Sequence, residues 1–87
     1  MPIRAYILFK VSSGTEREIA KKIADLDEVL DAGIIYGEYD LIAKISVREM
    51  EHLNEFLEKI RNIPSIIFTS TMIVAQEYKG KSKRPNA

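Results

Sequence analysis

Four runs of β-forming residues are punctuated by two stretches of helical periodicity, and this order limits the folds open to the chain more than any other feature. Ile3 to Val11 is rich in apolar and β-favouring residues and stops at Ser12-Ser13-Gly14, which reads as a strand and its turn. Thr15-Glu16-Arg17-Glu18 has the form of a capping box, in which the Thr15 hydroxyl accepts from the Glu18 backbone N–H. Ile19, Ala20, Ile23, Ala24 and Leu26 then recur at helical spacing, with Arg17, Lys21, Lys22 and Asp25 turned outward. Val29 to Tyr36 and Leu41 to Val47 are two further strands. The turn signal Gly37-Glu38-Tyr39-Asp40 between them makes the pair a β-hairpin. A second capping box, Ser46-Val47-Arg48-Glu49, precedes a helix with one apolar face of Met50, Leu53, Phe56, Leu57 and Ile60. Pro64 ends that helix by steering Ile63 out of the α region. Ile66 to Ala75 is the fourth strand.

The element order is therefore β-α-β-β-α-β. With right-handed crossovers it gives an α+β domain of ferredoxin-like topology: a four-stranded antiparallel sheet carrying both helices on one face. The 87 residues allow one domain. A chain of this size buries roughly 60–65% of its unfolded surface, so it has little stability to spare.

Two short helices can cover only one face of such a sheet, and the other face of a monomer should turn polar. Here it stays apolar. Strand one sets Ala5, Ile7, Phe9 and Val11 on one side, yet Tyr6 and Leu8 occupy the centre of the other. Ile42 interrupts the series Leu41, Ala43, Ile45 and Val47 in the same way. A patch of Tyr6, Leu8, Ile35, Ile42 and part of strand four would reach roughly a few hundred Å2, more than soluble monomers usually expose. At least a homodimer is expected, with its open sheet faces joined in a dimeric α/β-barrel-type association.

Much chemistry is missing. There is no cysteine, and the single histidine, His52, stands between Glu51 and Glu55 and reads as solvent-facing. Thiolate and transition-metal sites are therefore not expected. No P-loop, G-x-G-x-x-G or Ser-His-Asp pattern is present, so neither a cofactor nor an enzymatic activity is expected. No apolar run has the length that spans a bilayer, and Met-Pro-Ile-Arg-Ala-Tyr lacks the layout of a secretory signal. A cytoplasmic protein with no membrane partner is expected. Lys plus Arg and Asp plus Glu each number 13. The distribution is uneven, because Lys79, Lys81, Lys83 and Arg84 all follow residue 78. Residues 1–78 thus carry 9 basic against 13 acidic side chains, a poor surface for a phosphate backbone. RNA-binding domains share this element order but place aromatics at the centre of strand three, where this chain has none. Direct nucleic-acid binding is not expected. Residues 79–87 read as a basic, disordered tail.

The run Ile34-Ile35-Tyr36-Gly37-Glu38-Tyr39-Asp40-Leu41-Ile42-Ala43-Lys44-Ile45 is similar to the hairpin of the Lrp/AsnC effector-binding (RAM) domain, with its Gly-x-Tyr-Asp between apolar strands. Phe68-Thr69-Ser70-Thr71-Met72-Ile73-Val74 resembles that family's Thr-x-Thr-apolar segment. The resemblance implies a ligand-binding domain over residues 1–78, in a stand-alone form without the family's helix-turn-helix domain, since strand one begins at residue 3. It implies dimers that build tetramers, octamers or rings and hold amino-acid effectors in clefts between dimers. Full-length Lrp/AsnC-type regulators become possible partners. Carried over position by position, the effector site would comprise Gly37, Tyr39, Asp40, Thr69, Ser70 and Thr71. Asp40 would pair with an ammonium, while threonine hydroxyls and turn N–H groups would hold a carboxylate.

Turn chemistry alone accounts for two of these residues: Gly37 supplies positive φ, and Asp40 can bond the turn backbone. Thr69 and Thr71 are also ordinary strand formers. Two other readings stand beside sensing. One is a small dimeric α/β-barrel enzyme, monooxygenase- or isomerase-like, working through Tyr6, Tyr36, Tyr39 or Tyr78. The other is a ligand-free adaptor that modulates full-length regulators.

Overall fold

The structure is a computed structural model and describes residues 2–81. Its elements are β1 (Ile3–Val11), α1 (Glu16–Ala24), β2 (Val29–Ile34), β3 (Leu41–Val47), α2 (Met50–Arg61) and β4 (Ile66–Ile73). The strands form one antiparallel sheet in the order β2-β3-β1-β4. The expected βαββαβ fold is present. Period-2 alternation in the two central strands decides which side faces the helices. Ala5, Ile7, Phe9 and Val11 of β1 and Leu41, Ala43, Ile45 and Val47 of β3 are all buried. Ile19 and Ile23 of α1 and Leu53, Phe56 and Ile60 of α2 close over them. Met50, assigned to the same helix face, is the first residue of α2 and is half exposed.

Neither capping box forms. Thr15 precedes α1, but with φ −102° and ψ 4° it is not extended, and its side chain makes no cap bond. Its hydroxyl donates instead to the Ser12 carbonyl at 2.6 Å, closing the turn out of β1. Before α2 the capping position belongs to Glu49, not Ser46. Ser46 stays in β3, whose last residue, Val47, is core. Strand ends also differ from the expected ones. β2 stops at Ile34 and β4 at Ile73, although Ile35 N–H still donates to the Asp40 carbonyl (2.9 Å) and Val74 N–H to that of Arg4 (2.8 Å).

Both edge strands carry a bulge. In β2 the register moves from Val29↔Ile45 to Asp31↔Lys44, leaving Leu30 as the extra residue. In β4 it moves from Lys10↔Phe68 to Val11↔Ile66, leaving Ile67. Bulges add twist at the edges, where an unpaired ladder would otherwise template further strands.

The side without helices presents Tyr6 and Leu8 of β1, Ile42 of β3, and Phe68 and Met72 of β4, as the pairings Leu8↔Ile42, Leu8↔Ser70 and Tyr6↔Met72 require. Phe68 and Met72 are about half exposed, so the second apolar face expected from alternation is there. Past β4 the chain folds back across one end of this face. Glu77 meets Arg4 and Lys44 at 3.0 Å each, and Lys44 holds the Glu77 carboxyl below its ordinary range. Lys79, Gly80 and Lys81 have no regular structure, and the rest of the expected tail, 82–87, lies outside the described residues. Among the described residues, no helix is long and apolar enough to cross a membrane.

Candidate functional site

The β2–β3 hairpin is pinned to the end of β1 by one residue. Asp40 donates its backbone N–H to the Phe9 carbonyl at 2.8 Å and accepts from Ile35 N–H at 2.9 Å. Because β3 starts at Leu41, opposite Phe9, β1 runs past it and the Val11 N–H has no β3 partner. The Asp40 side chain supplies the missing rung: Oδ2 accepts from Val11 N–H at 2.9 Å. Gly37 turns the hairpin with φ +132°, a region that side chains rarely enter. Tyr39 then lies against Phe68 of β4, ring centroids 6.4 Å apart and planes at 23°. Lys10 Nζ stands 6.0 Å from the Tyr39 ring centre.

This hairpin walls a cleft of 540 Å3. Gly37, Tyr39 and Asp40 line it with Ile34, Ile35 and Tyr36 on one side, and Glu16 and Arg17 of α1 form the other. The cleft therefore combines apolar and aromatic surface with charges of both signs.

The six expected site residues do not gather at one place within the chain. Gly37, Tyr39 and Asp40 share the hairpin cleft. Thr69 and Thr71 pair with Phe9 and Ile7, so they face the helix side, while Ser70 pairs with Leu8 on the open side. Thr69 borders a separate hollow of 370 Å3 with Arg61, Ile66 and Ile67. The link between the two segments is the Tyr39–Phe68 contact, one residue from Thr69. Glu16 and Arg17 were not expected here. Helical spacing marks Arg17 as outward-facing, and only the packing of α1 on β2 shows that outward at this point means toward the hairpin.

His52 is only partly solvent-facing: its side chain is 36% exposed, with Nε2 3.2 Å from Glu28 Oε2, and Lys59 Nζ reaches Glu28 Oε1 at 3.1 Å. Burial works to raise the Glu28 carboxyl. Hydrogen bonds from its own backbone N–H, Lys59 and His52 outweigh it and hold the group below its ordinary value. The cluster ties the start of β2 to α2. Among the described residues, no group of three or more His, Cys, Asp or Glu is placed to hold a metal ion.

Residues 4–83 match the family model of the Lrp/AsnC ligand binding domain, and the chain belongs to that family. It is 37% identical over 81 residues to the HTH-type transcriptional regulator FL11 of Pyrococcus horikoshii, which covers 93% of this chain and 54% of that protein. The chain spans about half the length of the curated relatives it matches. Among solved structures, hypothetical protein PHS023 from Pyrococcus horikoshii is 43% identical with a TM-score of 0.80, over 87% of this chain and 93% of that one. The transcriptional regulator NMB0573 from Neisseria meningitidis, solved in complex with L-Met, aligns with a TM-score of 0.84 over 95% of this chain and 56% of that one. At 20% identity, that likeness is one of fold. The curated relatives carry the names of transcriptional regulators, not of enzymes.

Proposed function

We propose that the chain is an amino-acid-sensing and oligomerisation module of a transcriptional regulatory system. The carrying observation is the hairpin cleft. It sits on the Gly37–Asp40 turn and offers both carboxylate and guanidinium groups beside apolar walls. A free amino acid presents an ammonium, a carboxylate and a side chain, and the cleft has a counterpart for each. The L-Met complex of a protein of the same fold supports an amino acid as the effector. In this reading, Asp40 takes the ammonium, and Gly37 and Tyr39 shape the cleft. Thr69, Ser70 and Thr71 join it from a neighbouring copy. The open sheet face, with Tyr6, Leu8, Ile42 and Met72, packs on a second copy, and the dimers assemble further. In this reading contact with DNA falls to another polypeptide segment, because residues 1–78 carry 9 basic against 13 acidic side chains.

A thermal-shift screen of the twenty amino acids, with calorimetry on the hits, tests the proposal. A rise in Tm with one or a few of them is expected, because a ligand that binds only the native state stabilises it by mass action. A flat response to all twenty would refute sensing and favour the ligand-free adaptor.

A further inference from the structure

The assignment carried over to this chain leaves the effector's carboxylate to hydroxyl and turn N–H groups, yet the cleft itself contains a guanidinium. We infer that Arg17 is the carboxylate anchor of the effector cleft, an inference that rests on the amino-acid reading above and deepens it. Arg17 lines the cleft from the first turn of α1, facing the hairpin residues that include Tyr39 and Asp40. It makes no ion pair among the described residues, and it is the one Lys or Arg that lines this cleft. A guanidinium offers paired N–H donors that match a carboxylate in two-point fashion.

The rest of the charge pattern then falls into place. The carboxylate of Glu16 lines the same cleft, and Asp40 commits Oδ2 to the Val11 N–H. Glu16 and the second Asp40 oxygen are the acceptors left for an ammonium. Ile34, Ile35 and Tyr36 remain as wall for an apolar or uncharged side chain. One chain therefore carries both charge counterparts of a zwitterion, on α1 and on the hairpin. The ligand class is a free α-amino acid with an unblocked carboxylate.

The test compares each amino acid that binds with its own carboxamide, which keeps the ammonium and loses the negative charge. Calorimetry at about pH 6 keeps the α-ammonium of both charged. Wild type should bind the acid at least roughly tenfold more tightly than the amide, as expected for a charge-assisted contact. Arg17→Ala should raise the acid's Kd by roughly tenfold to a hundredfold and leave acid and amide within about twofold of each other. Arg17→Lys should recover part of the discrimination, since it restores the charge without the two-point geometry. Arg17 is exposed on a helix surface, and its variants can be checked for an unchanged circular dichroism spectrum. If Arg17→Ala still prefers the acid by the wild-type factor, the anchor lies elsewhere and amino-acid sensing stands without it. If wild type binds none of the twenty amino acids, the sensing reading falls and this inference falls with it.

Discussion

Replacing Asp40 by alanine removes the acceptor that the Val11 N–H has among the described residues. That N–H belongs to a residue only 5% exposed, at the end of β1 where β3 has not yet begun. The 2.9 Å contact is a hydrogen bond to a carboxylate, worth about 1.5–3 kcal/mol when lost, and stranding a buried donor costs about 1–3 kcal/mol. These figures describe the same event from two sides, so the expected loss is about 2 kcal/mol. For a domain of this size that lowers Tm by about 8–16 °C. Asp40→Asn keeps an oxygen that can accept from Val11 and forfeits only the charge, so it should cost about half as much. The assay is guanidinium denaturation followed by circular dichroism, at one fixed protein concentration because association shifts apparent stability. An alanine variant within about 0.5 kcal/mol of wild type, or an asparagine variant as unstable as alanine, would refute the clamp. The same alanine variant, studied below its lowered Tm, is also expected to bind amino acids more weakly. Unchanged affinity by calorimetry would take Asp40 out of the effector site and leave it a structural residue.

Leu8→Glu puts a charge at the centre of the open face, opposite Ile42 and Ser70, and should reduce the assembly to single-chain mass by light scattering with the circular dichroism spectrum kept. A dimer that survives would place the interface on another surface. Phe56→Ala empties a site 1% exposed under the sheet and should cost about 3–5 kcal/mol in a denaturation midpoint, whereas a cost below about 1.5 kcal/mol would mean that α2 does not close the core. Glu28 gives a pH test with a definite sign. Its folded pKa is lowered, so its stabilisation is present above the unfolded carboxylate value of about 4.3 and is lost as pH falls through the folded value. Glu28→Gln should therefore flatten the acid side of the stability curve, and an unchanged acid profile would contradict the role of the His52–Glu28–Lys59 cluster.

The element order, the sides of β1 and β3 that enter the core, and the buried face of α2 were legible in the sequence. Alternation in strands and the i, i+3, i+4 spacing of helices are local consequences of backbone geometry, carried by residues close together in the chain. The uncovered apolar face was legible for the same reason, since Tyr6, Leu8 and Ile42 break an alternation that a monomer would keep. What tertiary structure decided depends on residues far apart in the chain. The bulges at Leu30 and Ile67 exist only once two strands choose a register. Thr15 was free to cap α1 until the turn out of β1 gave it the Ser12 carbonyl instead. His52 looked solvated until α2 packed beside the start of β2 and set it against Glu28. The site divides in the same way. Gly37, Tyr39 and Asp40 could be named from a turn motif, but Asp40's bond to Val11 and the arrival of Glu16 and Arg17 opposite the hairpin required the helix to be docked. A sequence pattern reports which face a side chain takes relative to its own backbone, and only the packed sheet and helices determine what that face meets.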